Sequence, residues 1–141
     1  MPSYSNHSRI QLDTCHADLQ VVFGLVINYF DHRIIEGHRD EATQNKYYAD
    51  GLTQVRWPNS AHNKTPSMAV DVAPWPINWS DRERMHYFAG YVKAIARTLY
   101  ELGRITHLIR WGGDWDNDTE VKDNSFDDLI HFELYKPGAN S

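Results

Sequence analysis

The chain has little cysteine, no long apolar run and no surplus of positive charge, and each absence excludes a class of protein. One thiol, Cys15, cannot form an internal disulfide or a zinc site built from several cysteines, so a metal site must use histidine and carboxylate. No apolar run approaches the roughly 18 residues of a membrane-spanning helix, so we expect no membrane insertion. The formal net charge of -5 argues against non-specific nucleic-acid binding, which requires many cations to neutralise phosphates.

The length and composition are those of one globular domain. The 141 residues are 41% hydrophobic and 23% charged, which is enough apolar material for one core. We therefore expect a single domain over 1–141, with a loose N-terminal lead-in at 1–12 and a C-terminal tail at 136–141. The first residues lack the basic-then-apolar pattern of a signal peptide, so we predict none. We also expect a monomer.

The hydrophobic periodicity predicts helices and strands in a mixed order. Apolar residues at helical spacing predict helices over 13–30, 40–50 and 80–102, the last with Ser80 as cap in a capping box with Glu83. Short apolar runs predict strands over 33–39, 68–73, 107–111 and 129–135. This order favours an α+β fold in which helices pack against a small, mostly antiparallel sheet of about four strands.

Three potential metal ligands lie in or beside the predicted strands. His62 precedes the second strand, Asp71 lies inside it between two valines, and His131 lies inside the fourth. A charged aspartate in an apolar strand is costly to bury unless it is paired or bound to a cation. Two histidines and one carboxylate suit zinc, and three protein ligands leave a fourth position for water. Zinc would lower the pKa of that water toward about 7. The set predicts one catalytic zinc ion per chain.

Four motifs resemble those of a known family. The segment SAHNKTPSMAVDVAP (60–74) resembles the Ser-x-His and Ala-x-Asp signature of zinc D-Ala-D-Ala carboxypeptidases and of their phage endolysin relatives, the L-alanyl-D-glutamate peptidases. The segments IEGHR (35–39), RWGGDWD (110–116) and DDLIHFEL (127–134) resemble further motifs of the family in the same order. The resemblance covers nearly the whole chain and is strongest to the phage branch. It implies the fold of the hedgehog and D-Ala-D-Ala peptidase group.

The resemblance implies a role for each matching position. The zinc ligands would be His62, Asp71 and His131, and the catalytic base would be Asp128. Arg39 matches the arginine expected to hold a substrate carboxylate or carbonyl oxygen. The interval from His62 to Asp71 is longer than in many relatives, and the additional residues fall in a loop.

The remaining site assignments leave alternatives open. Side chains two apart share a strand face, so Glu133 is a second candidate for the base, or a partner that orients a ligand. Asp128 would have to lie on the bend that leads into the strand, where alternation does not hold. Ser60 either binds substrate or caps a turn. Trp115 either walls a groove for the peptide stem or belongs to the core.

The resemblance implies hydrolysis of a peptide bond in the peptidoglycan stem peptide. The preferred candidate is the L-Ala–D-Glu bond, and the D-Ala–D-Ala bond is the next. Such a phage endolysin would wait in the host cytoplasm until another protein opens the membrane. The alternatives are a D-Ala-D-Ala carboxypeptidase and a catalytically silent, zinc-stabilised binding module for cell-wall partners. A non-haem iron oxygenase uses the same ligand types, but its close His-x-Asp spacing is missing.

Overall fold

The computed structural model describes residues 2–122, 124 and 126–138, which contain helices and strands in mixed order. The α-helices are α1 (Asn6–Asp13), α2 (Ala17–Val26), α3 (Glu41–Ala49) and α4 (Arg82–Glu101), and a short 3-10 helix covers Ala61–Asn63. The strands are β1 (His32–Glu36), β2 (Ala69–Pro74), β3 (Leu108–Gly112) and β4 (Asp128–Tyr135). None of the helices in this part of the chain is long and apolar enough to cross a membrane.

The strands form one antiparallel sheet in the order β1-β2-β4-β3. The two central strands, β2 and β4, are the ones that carry Asp71 and His131. The predicted α+β class with a four-stranded antiparallel sheet is therefore confirmed.

The core lies between the sheet and the two helices α2 and α4. Helix α4 packs against β2, β3, β4 and α2. Its buried residues Phe88, Ala89, Val92 and Ala96 recur at the spacing of one helix face. Phe132 on β4 contacts Phe88 edge to face, with the ring centroids 6.1 Å apart. This packing covers one face of the central strands.

The loose lead-in predicted at 1–12 is wrong, because residues 6–13 form helix α1. The helix has little apolar periodicity, and it is joined to the edge strand β1 by polar side chains instead. Ser8 Oγ accepts a hydrogen bond from the backbone N–H of Ile34 at 3.0 Å, and Gln11 Oε1 accepts one from Gly37 at 3.0 Å. These bonds satisfy backbone donors that an edge strand would otherwise expose.

The helix predicted over 13–30 is interrupted at its start. The backbone of Ser67 donates to Thr14 O and accepts from His16 N, each at 2.9 Å, so residues 14–16 pair with the loop before β2. Helix α2 begins after this break, with the His16 side chain as its cap. A long-range backbone pairing therefore divides a segment whose local pattern is continuous.

The start of α4 and the end of the chain differ slightly from the prediction. The cap of α4 is Asp81 rather than Ser80, because Asp81 Oδ1 accepts from the backbone N–H of Arg84 at 3.1 Å. The predicted tail begins directly after β4, and its residues 139–141 lie outside the described part.

Candidate metal centre

The two central strands and one loop bring three predicted ligands together. Asp71 pairs directly with His131 across β2 and β4. Asp71 Oδ1 lies 3.4 Å from His131 Nδ1 and 3.2 Å from His62 Nε2. One donor atom from each side chain lies within 4.8 Å of the other two, as a shared metal ion requires.

The loop before β2 fixes the orientation of the His62 ring. Ser60 caps the 3-10 helix, and its hydroxyl accepts from the backbone N–H of His62 at 3.2 Å. His62 Nδ1 lies 2.7 Å from the carbonyl oxygen of Gly37, which accepts only, so Nδ1 carries the proton. The lone pair is then on Nε2, the atom that faces Asp71. Ser60 is thus a turn cap.

Glu133 fixes the ring of His131 in a similar way. Glu133 Oε1 lies 2.7 Å from His131 Nε2, so Nε2–H donates to the carboxylate and Nδ1 faces Asp71. Burial lowers the pKa of His131, but contacts with Asp71 and Glu133 outweigh burial and raise this pKa to about 9. For Asp71, burial raises the pKa, but the imidazoles of His131 and His62 outweigh it and leave the pKa well below its usual range.

The donor atoms fit a cation. His62 Nε2 and Asp71 Oδ1 are buried and have no hydrogen-bond partner within the described residues. Leaving buried polar atoms unpaired is costly, and here both atoms bring lone pairs to the same point. Two imidazole nitrogens and one carboxylate oxygen are ligands that zinc accepts. His62, Asp71 and His131 are therefore the residues that could hold such an ion.

An irregularity in the pairing of β3 with β4 directs Asp128 into the pocket that contains His131. Trp111 of β3 pairs with Phe132, but the next residue, Gly112, pairs with Asp128, so β4 carries extra residues at this point. Such a bulge breaks the alternation of side chains, which lets Asp128 and His131 share one pocket despite their odd separation. Burial and the charge of Asp71 raise the pKa of Asp128.

Arg39 lies behind Asp71 in a buried polar cluster. Its Nη2 is 3.9 Å from Asp71 Oδ2, and its side chain is only 9% exposed. Arg39 Nε donates to Glu36 at 2.8 Å and Nη1 donates to Gln44 at 3.0 Å. The guanidinium also lies over the Tyr47 ring, 4.7 Å from its centroid. Most donors of Arg39 are therefore already engaged.

The residues that hold Arg39 were missed at the level of sequence. Gln44 is fully buried on a mostly polar helix, and Asn63 Nδ2 donates to the Arg39 carbonyl at 2.9 Å. Asn63 directly follows a predicted ligand, which is a usable signal. Gln44 gives no such signal, because its burial depends on how α3 packs.

All the predicted site residues line one cavity of about 860 Å³. They are Arg39, Ser60, His62, Asp71, Trp115, Asp128, His131 and the alternative base Glu133. The Trp115 ring lies against His131 with centroids 5.5 Å apart, and its Nε1 donates to Phe126 O at 3.0 Å. Trp115 is thus a wall of the pocket and not a core residue.

Two other groups of potential ligands lie elsewhere in the described residues. In the group of His16, Asp18 and His107, Asp18 Oδ2 accepts from the backbone and ring of His107, so it is occupied in joining α2 to the start of β3. The other group is the acidic loop of Asp114, Asp116 and Asp118, in which Asp114 is buried and the other two residues are exposed.

Known proteins resemble this chain in sequence and in fold. A similar solved structure is the Serratia marcescens L-Ala D-Glu endopeptidase ChiX, with 27% sequence identity and a TM-score of 0.72, over 94% of this chain and 89% of that one. Comparison with curated protein sequences gives no match. The sequence profile of the phage L-alanyl-D-glutamate peptidases matches residues 2–135. The chain therefore belongs to the phage L-alanyl-D-glutamate peptidase family.

Proposed function

We propose that the protein is a zinc-dependent endopeptidase that hydrolyses the L-alanyl-D-glutamate bond of the peptidoglycan stem peptide. Membership of the family supports the peptidase activity and its substrate. One observation supports the metal: two imidazole nitrogens and a carboxylate oxygen converge within 4.8 Å of one another, and two of these buried atoms have no hydrogen-bond partner among the described residues.

The proposed zinc ligands are His62, Asp71 and His131, one ion per chain. When bound, zinc supplies a Lewis acid that polarises a carbonyl and makes water easier to deprotonate. The protein's part is to hold each ligand in one orientation. Gly37 O and Glu133 do so by accepting from the ring nitrogens of the histidines that face away from Asp71.

Asp128 is the proposed general base and acid. It takes a proton from the attacking water and passes that proton to the amine that leaves as the peptide bond breaks. Its raised pKa suits both steps, because the carboxyl group then gains and loses a proton closer to neutral pH. Glu133 is less suited, because the hydrogen bond from His131 outweighs burial and lowers the pKa of its carboxyl.

The remaining residues bind and position the substrate. Arg39 supports Asp71 and presents one edge of its guanidinium to the pocket, where it stabilises the oxygen of the reacting carbonyl. Trp115 provides an apolar wall beside His131. The Ser60 hydroxyl, besides capping the turn, lines the pocket and is a contact for the peptide backbone.

We infer a role in lysis of the host cell. The family name refers to phages, and an enzyme of this activity dissolves the wall once it reaches it. The protein would remain in the host cytoplasm until another phage product opens the membrane. We propose that it acts as a monomer with a single domain.

The test is to digest purified peptidoglycan with zinc-loaded protein and to identify the ends by mass analysis. We expect new L-alanine carboxyl termini and new D-glutamate amino termini, and loss of turbidity in Gram-negative cells stripped of their outer membrane. Release of free D-alanine without L-alanine termini would make it a carboxypeptidase. Binding without any cleavage would leave only a wall-binding module.

A further inference from the structure

The fixed charges of the pocket are almost all paired with one another. Glu36 forms an ion pair with Arg39. Glu133 accepts from His131 and lies 3.8 Å from Arg110. Asp71 lies 3.9 Å from Arg39 Nη2, and together with Asp128 it would be balanced by the divalent cation that the site would hold.

Lys64 is the exception. It follows the 3-10 helix, two positions after His62, and its side chain lines the same cavity. It is exposed, and it forms no salt bridge with any acidic residue in the described part of the chain. Apart from Arg39, it is the only Lys or Arg among the described residues that line the cavity. The cavity therefore has one cation available for a ligand.

In the substrate of the proposed function, the residue on the amine side of the cleaved bond carries one matching anion. The amine of D-glutamate is acylated by L-alanine, and one of its two carboxyl groups continues the stem. The other carboxyl is free, and in the α position it is attached to the carbon that bears the leaving nitrogen. A recognition cation must therefore lie in the same cavity as the metal ligands, as the flexible side chain of Lys64 does.

We propose that Lys64 binds the free carboxylate of the D-glutamate residue and makes the enzyme prefer glutamate to its amidated form. This proposal rests on the proposed function. Arg39 is the less suitable receptor, because its side chain is buried and its charge is compensated by Glu36. Lys64 has to give up only water to bind the carboxylate.

The experiment compares kcat/KM on two muropeptides that differ only in whether this group is a carboxylate or a carboxamide. We expect the unmodified enzyme to prefer the carboxylate by about tenfold, a factor typical of a charge-assisted hydrogen bond that is partly screened by water. The preference should fall as the salt concentration rises. In K64Q the ratio should approach one, and in K64E it should invert.

K46Q is the matched control. Lys46 is also an exposed lysine, but it lies outside the cavity and pairs with Asp50 on α3. Its variant should keep the preference of the unmodified enzyme. A K64Q enzyme with an unchanged ratio, or an unmodified enzyme without any preference, would overturn the role of Lys64 alone. An unmodified enzyme that cuts neither substrate would overturn the proposed function as well.

Discussion

Asp71 and His131 lie directly opposite each other on strands β2 and β4, with Asp71 Oδ1 3.4 Å from His131 Nδ1. Opposed residues are the closest side-chain neighbours that an antiparallel sheet provides. The sheet therefore holds two of the proposed ligands in place before any metal binds. Only His62 comes from a loop, where Ser60 Oγ accepts from its backbone N–H and the Gly37 carbonyl fixes its ring.

Replacement of Asp71 by asparagine tests the metal centre. The variant keeps the size of the side chain but removes the negative charge between the two imidazoles. We expect zinc affinity to fall about 100-fold or more, because even a change in a residue that only supports a ligand costs 10–100-fold. Metal analysis of the purified protein measures the loss, and lytic activity should fall with it.

Chelation is the second arm of this test. Removal of zinc from the unmodified protein should abolish peptidase activity, and added zinc should restore it. Full activity of a chelated sample that contains no metal would contradict the zinc proposal, whatever the behaviour of the Asp71 variant.

Metal binding should release a proton from His131. Its pKa is raised to about 9 in the metal-free protein, whereas a metal ligand must be deprotonated at the coordinating nitrogen. Zinc affinity should therefore rise up to about tenfold per pH unit below pH 9 from this group alone. Calorimetry in buffers of different ionisation enthalpy counts the released protons at pH 7.

The Glu133→Gln variant is the control for this linkage. It removes one of the two carboxylates that raise the pKa of His131, so fewer protons should be released at pH 7. If the unmodified protein released no proton at pH 7, His131 would already be neutral without metal.

The strands and the three residues that meet in the pocket were predictable because their signals are local. Asp71 is conspicuous as a charge within an apolar strand, and His131 lies in a second one. The bulge beside Asp128 could be foreseen only as a break in the alternation of side chains along the strand. Its position depends on how Trp111 and Gly112 pair with β4.

Helix α1 and the cluster around Arg39 could not be predicted from periodicity. Both are held by polar side chains that reach distant backbone, as Ser8 does with Ile34. Hydrophobic periodicity reports which face meets the core and carries no information about such bonds. The same limit applies to the pairing of Ser67 with residues 14–16, which interrupts an otherwise continuous helical pattern.

Two substitutions distinguish the proposed base from the residue that orients His131. Asp128→Asn should lower kcat by about 10²–10⁴-fold, the usual contribution of a general acid–base, while zinc content stays the same. Glu133→Gln should instead weaken zinc binding by about 10–100-fold, with activity recovered at high zinc. Activity titrations against zinc separate the two cases. If zinc restores Asp128→Asn and not Glu133→Gln, the assignment of the base is reversed.

Gly37 should not tolerate a side chain. A Cβ atom there would overlap the backbone oxygen of Gln11, an atom that cannot move away without displacing α1. We expect Gly37→Ala to lower the free energy of unfolding by about 1–3 kcal/mol, the cost of overpacking. It should also weaken zinc binding, because the Gly37 carbonyl orients His62.

Gly24→Ala is the control for that substitution. Gly24 lies within α2, and apart from its two neighbours and the backbone of its own helix no described atom lies within 4 Å of the point that an added Cβ would occupy, so alanine should stabilise the helix by about 0.5–1 kcal/mol. Urea unfolding of the two variants measures both effects. Equal stability of the two alanine variants would show that α1 can shift to admit the side chain.

His32 should make the stability of the fold depend on pH. Burial lowers the pKa of this histidine to about 4, while hydrogen bonding to Phe30 O opposes the shift. In the neutral ring, Nδ1–H donates to Phe30 O at 2.8 Å, and Nε2 lies 2.6 Å from the Tyr4 hydroxyl. Protonation of Nε2 would place a charge on a side chain that is fully buried.

The direction of this pH dependence follows from which state, folded or unfolded, binds more protons. The pKa of His32 lies near 6.5 in the unfolded chain and near 4 in the folded one, so between these values the unfolded chain binds more protons. The free energy of unfolding should therefore fall as the pH decreases from 6.5 to 4, by about 3 kcal/mol in total from this group. Urea unfolding across this range, compared with the non-titrating His32→Gln variant, isolates the contribution. Parallel curves for the two proteins would mean that His32 titrates normally in the folded state.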